Sequence, residues 1–565
     1  MRAGSGRRTV LTLLLLAAIT VPFFYRLGAW PLFDPDEGRN AEVAREMAAS
    51  GQWAVPRFDG QPYLDKPVLL FWAIAAAFRL GGVGEASARL PSALAALATT
   101  ALTLASARLL LGPAPGLLAA SIVATSPLVL AFARLVIFDM LLTALVTAAL
   151  YCLLRARLGG APARWLPAAG AAMGLATLTK GPVGIAVPLL VWLAGRGALP
   201  RPARRARAVD VAAAGLAAAA VVVPWLACVL RSEPGFLRYA LVDETWLRLT
   251  SSARFHRGGP PYYYLETLAW ALGPWLVMLL AGAPGLVRRW RAGGADAPAI
   301  AFAARGTAAV VVFFTLAASK RPYYLLPIVM LLGVLGAAGI AGAPARAAAA
   351  LRAFARWMVV AGVAGLVVAR QGFHIRGGEF FVVTPAVVTA AGAFLVAWGL
   401  VTAVAGRTPR AAIVCCALFG PALGLVLLRP LAAYAEARSP RALAARIGPT
   451  ADVVCFEAFR PGLPFYLGRP LLLLSDTGRE LTSNYVVAEH HRLIGRGALV
   501  PSSALGAVLA RQPRPWVLTT PWELRRLERL AGLRVTPLYA DRRSVLVCLG
   551  ECPGVADGQP AGAGG

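Results

Sequence analysis

The stretch from Ala411 to Leu428, AAIVCCALFGPALGLVLL, is 18 residues long and contains no charged side chain. A helix of about 20 such residues crosses the roughly 30 Å hydrocarbon core of a bilayer. Similar apolar windows recur from Val10 to Arg429, and 58% of the 565 residues are hydrophobic while 15% are charged. A soluble core needs far fewer apolar runs. The sequence therefore predicts a polytopic α-helical membrane protein.

About fourteen apolar segments can be placed along the chain. They lie near residues 9–28, 67–82, 88–110, 115–133, 135–155, 163–179, 182–196, 207–230, 262–285, 298–317, 323–343, 351–371, 380–405 and 411–430. Segment 67–82 is the weakest, because it is short, carries Arg79 and ends at Gly81-Gly82. If it lies in the interface or merges with its neighbour, about thirteen crossings remain.

The basic residues give a formal net charge of +29 and lie mainly in short gaps between the apolar segments. Positive loops are retained in the cytoplasm, so the clusters at 201–207 and 288–291 are expected inside. Thirteen crossings are consistent with that orientation and place loop 29–87 and everything after residue 431 outside. Since no basic run is interleaved with aromatic side chains on a soluble module, the pattern argues against a nucleic-acid partner.

This topology predicts that the chain has three parts. Residues 1–435 are predicted to form a transmembrane domain that includes the first external loop, 29–87. Residues 436–553 alternate short apolar stretches with helical patterns, which predicts an external α/β domain. Residues 554–565 are rich in Gly, Ala and Pro and are predicted to be disordered.

The seven cysteines show no spacing typical of a metal site. Four of them lie inside apolar segments, where cysteine behaves as a small hydrophobic residue. Cys455, Cys548 and Cys552 lie in the C-terminal part, where an oxidising compartment would allow one disulfide bond and leave one thiol free.

Two acidic positions in the external loops are candidates for chemistry. Three acids follow the first apolar segment in Phe33-Asp34-Pro35-Asp36-Glu37-Gly38-Arg39. Acids at the start of a helix also serve as caps, so this segment alone is explained as a solvated turn. Asp139 lies at the outer edge of an apolar segment, where a carboxylate is costly without a partner or a cavity. A pair with Arg134 is the simple alternative, although a separation of five residues does not stack well on one helix face.

Further polar groups fall in the predicted external loops. They are Tyr63, Asp65, Lys66, Lys180, Arg254, His256, Arg257, Lys320, Arg321, Tyr323 and Tyr324. Cations stabilise a phosphate leaving group as a glycosidic bond breaks, and a carboxylate can orient or deprotonate an attacking group. Each cation alone is more typical of a snorkelling interfacial side chain, so the interpretation depends on their convergence. A divalent metal near Asp65 or His256 is left open.

A series of motifs runs in order along nearly the whole chain. It consists of Asp36–Arg39, Arg45–Met47, Ser50-Gly51, Trp53, Pro56, Gly60, Tyr63, Lys66-Pro67, Arg89–Ser92, Asp139-Met140, Thr179–Pro182, Lys320–Pro327 and Leu463–Pro470. In these motifs the chain resembles the type C membrane glycosyltransferases of family 39, which include lipid A aminoarabinose transferases and protein O-mannosyltransferases. The last motif and the external C-terminal domain are more similar to the aminoarabinose branch. That branch implies an undecaprenyl-phosphate sugar donor and an envelope lipid or glycan acceptor.

The resemblance also implies roles for individual side chains. Asp36 matches the family's catalytic first-loop acid and Asp139 its second-loop acid, and Glu37 beside Asp36 is the third catalytic candidate. Lys66 matches a ligand of the carrier phosphate. The other expected members of the phosphate pocket are Arg39, Tyr63, Arg257, Arg321 and Tyr324. Asp65 stands where the aminoarabinose branch usually has Glu, which leaves the transferred sugar open.

The expected reaction is an inverting transfer at the periplasmic face of a bacterial inner membrane. The acceptor approaches C1 of the sugar, Asp36 aligns or deprotonates it, and Lys66 holds the departing phosphate. If the acceptor is itself a phosphate, Asp36 orients it without taking a proton. Asp36, Asp139 and Lys66 are then expected to meet at one external pocket.

Two alternatives remain open. In protein O-glycosylation, a Ser or Thr hydroxyl of a translocating chain would accept the sugar. A non-enzymatic flippase for a lipid carrier would also need external cations. A flippase should carry charges near the bilayer midplane and paired half-repeats, and neither feature is visible in the sequence.

Overall fold

The computed structural model describes residues 14, 16–251, 258–371, 384–448, 451–511, 516–533, 535–541 and 543–550, without the side chains of residues 248 and 249. The chain divides into two compact units. The first comprises Met1–Ala29 and Arg89–Tyr434, and the second comprises Trp30–Ala88 and Ala435–Gly565. The predicted boundary near residue 435 coincides with a boundary between the units. Residues 30–88, in contrast, group with the C-terminal residues rather than with the predicted transmembrane domain.

The first unit is helical. Its α-helices include Glu85–Leu111, which begins in the second unit, Pro113–Thr125, Pro127–Phe132, Phe138–Leu158, Pro162–Lys180, Val183–Gly195, Ala208–Ser232, Phe236–Arg238, Leu247–Thr250, Tyr263–Leu272, Pro274–Arg291, Ala297–Leu316, Val329–Gly342, Pro344–Arg370, Pro385–Ala405 and Pro409–Arg438, which ends in the second unit. Residues 16–24 are helical as well. Segments Arg196–Ala198 and Pro322–Ile328 are 3₁₀-helical, and Tyr239–Trp246 is π-helical. Several helices begin at a proline, whose fixed φ suits the first helical position and whose missing N–H would lack an intrahelical partner there.

Eight of the described helices are long and apolar enough to cross a membrane. A ninth span results if Tyr263–Leu272 and Pro274–Arg291, which are bent by 108°, are counted as one. The predicted count of about thirteen is therefore not confirmed, although the polytopic helical fold class is. Leu69–Gly81, which corresponds to the weakest predicted segment, has 13 residues. A helix of that length spans only about 20 Å.

The second unit contains a short hairpin and a six-stranded sheet. Strands β1 (Arg57–Phe58) and β2 (Gln61–Pro62) pair antiparallel. The sheet consists of β3 (Val453–Phe456), β4 (Leu472–Leu474), β5 (Leu499–Val500), β6 (Trp516–Thr519), β7 (Val535–Ala540) and β8 (Val545–Leu549). Its order is β5-β4-β3-β6-β8-β7. Strands β5, β4, β3 and β6 run parallel, and β8 is antiparallel to both β6 and β7.

Helices accompany both parts of the second unit. They are the α-helices Asp36–Ser50, Leu69–Gly81, Arg441–Ile447, Leu463–Leu467, Asn484–Ala488, His490–Leu493, Leu505–Arg511 and Leu524–Ala531, together with the 3₁₀-helices Arg479–Leu481 and Ser502–Ala504. Val454, Phe456, Val517 and Val547 form the core of the sheet. Parallel strands need crossover connections and covered faces, so their sequences read as continuous apolar runs. The predicted C-terminal α/β fold is confirmed.

The cysteines of the second unit have different states. Cys455 in β3 is a free, buried thiol, and burial raises its pKa well above the usual value. Cys548 in β8 is disulfide-bonded. Cys552 and the predicted disordered tail, 554–565, lie outside the described residues. The disulfide bond that the sequence left open therefore involves Cys548 and leaves Cys455 reduced.

Candidate active site

The acidic segment of the first loop begins a helix. Asp36 and Glu37 occupy the first turn of Asp36–Ser50, where negative charge complements the helix dipole. The peptide bond between Asp34 and Pro35 is cis. The simple explanation of a solvated, helix-capping turn holds only in part, because no side chain among the described residues caps the helix and Asp34 and Glu37 are buried. A role in chemistry has to be argued from what surrounds each of them.

Asp36 and Arg39 form an ion pair. Arg39 Nη2 lies 2.5 Å from Asp36 Oδ1, and the side chain of Asp36 is 40% exposed while that of Arg39 is 12% exposed. The guanidinium carbon of Arg39 lies 5.5 Å from the centre of the Tyr63 ring. Glu37 is fully buried. Of the two neighbouring acids, Asp36 is therefore the one that a molecule outside this unit can reach.

Arg39 and Asp65 each contact the C-terminal part of the same unit. Arg39 Nη1 donates to the main-chain oxygen of Thr482 at 3.0 Å and to its Oγ1 at 2.8 Å. Asp65 accepts hydrogen bonds from the backbone N–H groups of Asn484 at 2.9 Å and Tyr485 at 2.7 Å. Burial opposes the charge of Arg39, but Tyr63, Asp36 and Asp65 outweigh burial and raise its pKa above the usual value.

Lys66 follows Asp65 directly. Its Nζ donates to the main-chain oxygen of Asp65 at 2.6 Å. Tyr63 is buried, and its ring meets those of Phe58 and Phe71 edge to face. The second unit thus brings together Asp36, Arg39, Tyr63 and Asp65 and places Lys66 beside them in the chain. We refer to these five residues as the first-loop cluster.

A buried ion-pair network anchors the start of this loop. Arg460 Nε donates to Asp34 Oδ2 at 3.1 Å, and Arg460 Nη1 donates to Asp541 Oδ2 at 2.8 Å. The backbone N–H of Gly462 donates to Asp34 Oδ1 at 2.7 Å. Burial raises the pKa of Asp34, while Arg460 and the Gly462 hydrogen bond lower it, with a net rise. The network fixes the segment that leads into Asp36.

Gly38 lies against the backbone of Gly462. A Cβ added at Gly38 would come within 2.5 Å of Gly462 Cα and 2.6 Å of Asp34 Oδ1. We expect Gly38→Ala to lower the free energy of unfolding by about 1–3 kcal/mol, because the clash is with backbone and a buried carboxylate. Thermal unfolding in detergent measures the effect. The control is Gly506→Ala, where an added Cβ meets nothing within 4 Å. Equal midpoints for the two variants would contradict the close approach.

In the first unit, Asp139 forms an ion pair with Lys180. Both side chains are largely enclosed, with 3% of Asp139 and 15% of Lys180 exposed. Lys180 Nζ also lies 4.8 Å from the ring centre of Tyr323 and 5.3 Å from that of Tyr324. Arg134, considered above as a partner of Asp139, donates to the main-chain oxygens of Pro22 and Tyr25.

The remaining predicted phosphate ligands belong to the same unit. Arg321 directly precedes the 3₁₀-helix Pro322–Ile328, in which Tyr324 stacks 4.9 Å from Phe314 between ring centres. Arg257 and His256 lie outside the described residues. Within the described part of the chain, no group of three or more His, Cys, Asp or Glu side chains could hold a metal ion.

Comparison with known proteins supports the sequence motifs. A family model described as dolichyl-phosphate-mannose-protein mannosyltransferase matches residues 65–227. The chain is 32% identical over 342 residues to the undecaprenyl phosphate-alpha-4-amino-4-deoxy-L-arabinose arabinosyl transferase of Edwardsiella ictaluri. It is 29% identical over 348 residues to that of Serratia proteamaculans. These alignments span 58% and 60% of the relatives' own lengths, and the same shares of this chain.

Solved structures extend the likeness to nearly the whole chain. ArnT from Cupriavidus metallidurans bound to undecaprenyl phosphate has a TM-score of 0.78 and 25% identity, over 95% of this chain and 97% of that one. The chain has the type C glycosyltransferase fold of ArnT. The archaeal oligosaccharyltransferase AglB from Archaeoglobus fulgidus shares the fold more distantly, with a TM-score of 0.50 and 11% identity over 92% of this chain. The resemblance inferred from the motifs is confirmed.

Lys180, the ion-pair partner of Asp139, is a candidate site residue of this ArnT-like chain that the sequence does not assign. The sequence places it among the external polar groups only. The sequence does contain a signal that Lys180 lies near Asp139, because the loop between helices Phe138–Leu158 and Pro162–Lys180 is short. Short loops join antiparallel neighbours. Helices of 21 and 19 residues joined in this way bring the start of the first beside the end of the second.

Proposed function

We propose that the protein is a glycosyltransferase that moves a sugar from an undecaprenyl-phosphate carrier to an envelope lipid or glycan acceptor. The observation that carries the proposal is the exposed Asp36 carboxylate, paired with Arg39 in a chain with the ArnT fold. The two named relatives act with the same carrier class. We further propose that the reaction takes place at the periplasmic face of a bacterial inner membrane.

The proposed chemistry is a single displacement. An acceptor oxygen forms a bond to C1 of the sugar while the bond between C1 and the carrier phosphate breaks, and undecaprenyl phosphate leaves with the electron pair. A hydroxyl acceptor would lose its proton to Asp36, whereas an anionic phosphate acceptor would only be oriented by it. Positive groups aimed at the leaving phosphate stabilise the charge that develops there.

We assign the phosphate-binding role to Lys66 and Arg39, with Tyr63 supporting Arg39 through its ring. Asp139 and Lys180 are the proposed contribution of the second external loop region. In this pair Lys180 supplies the cation, and its ion pair with Asp139 holds the ammonium group in an enclosed position. Arg257, Arg321 and Tyr324 complete the proposed set of ligands. A common pocket for Asp36 and Asp139 stays a prediction.

The test of this function is transfer by the full chain in liposomes. The donor is undecaprenyl phosphate carrying radiolabelled 4-amino-4-deoxy-L-arabinose, and lipid A is the acceptor. We expect label to move to lipid A and free undecaprenyl phosphate to appear in equal amount. Carrier that crosses the bilayer with its sugar still attached would instead support a flippase.

Protein O-glycosylation is the second candidate, favoured by the match of residues 65–227 to the protein mannosyltransferase model. It predicts transfer to a Ser or Thr hydroxyl of a polypeptide. Parallel reactions with lipid A and with a Ser/Thr-rich peptide separate the two candidates. Label found only on the peptide would replace the lipid acceptor in the proposal.

The proposed orientation has its own test. An alkaline phosphatase reporter, which is active only outside the cytoplasm, should be active when fused after Arg429 and inactive near Arg205. The reason is that the basic cluster at 201–207 is retained inside. A β-galactosidase reporter at the same sites should give the reverse pattern. Activity of the phosphatase only near Arg205 would invert the orientation and move the proposed site to the cytoplasm.

A further inference from the structure

The segment Thr482–Tyr485 contacts the first-loop cluster at two points. Thr482 has φ 54° and ψ 29°, in the left-handed region. A β-branched residue rarely adopts this conformation. In this conformation both the main-chain oxygen and Oγ1 of Thr482 accept hydrogen bonds from Arg39 Nη1, at 3.0 Å and 2.8 Å. Strained residues of this kind are concentrated at functional sites.

The second point of contact is Asp65. Its two carboxylate oxygens accept from the N–H groups of Asn484 and Tyr485, at 2.9 Å and 2.7 Å. Ser483 Oγ accepts from Val486 N at 3.2 Å and so caps the short helix that presents these donors. One segment of four residues therefore holds Arg39 on one side and the residue before Lys66 on the other.

Two other hydrogen bonds within this unit connect residues outside the first-loop cluster. Asp59 Oδ1 accepts from Leu471 N at 2.7 Å, and Gln61 Nε2 donates to Arg496 O at 2.5 Å. Both join the hairpin to the C-terminal part, and neither residue is in the first-loop cluster. The Thr482 contact differs because it reaches a side chain that itself holds the exposed Asp36 carboxylate, at 2.5 Å.

We propose that Thr482 is a positioning residue, which fixes the Arg39 guanidinium and through it the Asp36 carboxylate. The proposal rests on the proposed function, since it takes Asp36 as the group that meets the acceptor. It assigns a role in the reaction to the C-terminal α/β part of the chain. The loss of one hydrogen bond to a charged group is expected to cost about tenfold in rate, if it is felt fully at the reacting atoms.

The test compares three variants of the full chain. Thr482→Val keeps the branched shape and removes the hydroxyl, Thr482→Ser keeps the hydroxyl, and Thr477→Val makes the same change at an exposed threonine of the same unit. We expect Thr482→Val to lower kcat/KM for the donor about tenfold, with most of the loss in kcat, because Arg39 holds Asp36 and faces the charge that develops on the leaving phosphate. Thr482→Ser should stay within about threefold of the parent. Thr477→Val should behave as the parent in every assay.

An activity-independent measurement accompanies the kinetics. Hydrogen exchange of peptides covering residues 34–48 should become faster in Thr482→Val, with the thermal midpoint close to that of the parent. In an Arg39→Gln background, Thr482→Val should have no further effect, because the two residues act through the same contact.

The outcomes separate the two proposals. If the parent protein transfers no sugar but Thr482→Val accelerates exchange at 34–48, the proposed function fails and the positioning contact stands. If the parent is active and Thr482→Val changes neither kcat nor exchange, the positioning role is overturned. The positioning role is also overturned if Thr482→Val lowers activity further in the Arg39→Gln background. It is overturned as well if the loss of activity comes with a lowered thermal midpoint and no faster exchange at 34–48.

Discussion

Asp36→Asn should reduce sugar transfer by about 10²- to 10⁴-fold while binding of undecaprenyl phosphate stays within about threefold, the range expected when a positioned acid or base is removed. Asn has nearly the shape of Asp, so the helix start is preserved, but the charge that orients or deprotonates the acceptor is lost.

Lys66→Ala should instead weaken binding of undecaprenyl phosphate by about tenfold or more, because a charge-assisted contact to the phosphate is lost. Single-turnover transfer and binding of the labelled carrier measure the two effects separately.

The control for these variants is Asp452→Asn, since Asp452 is an exposed acid of the same unit. It should leave both transfer and carrier binding unchanged. Equal loss of carrier affinity in Asp36→Asn and Lys66→Ala would show that Asp36 only maintains the loop. Full transfer by Asp36→Asn would remove it from the reaction altogether.

Arg460→Met should lower the free energy of unfolding by about 3–5 kcal/mol, the usual cost of removing one partner of a buried ion pair. Arg460 and Asp34 are 6% and 2% exposed at their side chains, so Asp34 would be left buried without its cation. Asp541 is 25% exposed and can be hydrated. At roughly 2–4 °C per kcal/mol for domains of 150–250 residues, the thermal midpoint should fall by on the order of 10 °C. The exposed Arg529→Met is the matched control and should shift it little.

The loss in free energy of unfolding caused by Arg460→Met should depend on pH. Burial already raises the pKa of Asp34, and loss of Arg460 removes the largest opposing influence. A carboxyl group whose pKa is raised in the folded state is stabilising below its unfolded pKa, near 4, and this stability is lost as the pH rises through the folded pKa. The variant should therefore be less impaired at pH 5 than at pH 8. Asp34→Asn in the same chain should restore much of the loss, and a penalty that persists unchanged would show that packing dominates.

The membrane fold was predictable because lipid imposes a simple rule on sequence. Every backbone polar group must be satisfied within the segment, so spans appear as long apolar runs such as Ala411–Leu428. The number of spans was harder to predict. Pro113–Thr125 and Val183–Gly195 are apolar enough but have only 13 residues each, and composition does not reveal where a helix ends.

The candidate site was predictable in part. Asp36, Arg39 and Tyr63 were named from loop position and family motifs, and the structure brings them together. Thr482 was not named, because it lies 443 positions from Arg39 and its left-handed backbone has no signature in a single sequence. Contacts of such high sequence separation follow from the tertiary fold rather than from local pattern. The roles of all these residues stay predictions until the variants are measured.

The second unit is assembled from two distant pieces of the chain, Trp30–Ala88 and Ala435–Gly565. Residues 89–434 must therefore be made before the early piece meets its partner, which takes on the order of tens of seconds at roughly 5–20 residues per second. During that interval Asp34 and Asp59 lack the main-chain donors of Gly462 and Leu471 that they have in the finished fold. The candidate catalytic helix thus acquires its final surroundings only after the later piece has been synthesised. A ribosome that stalls before the sheet is complete would leave a membrane-inserted chain with an incomplete candidate site.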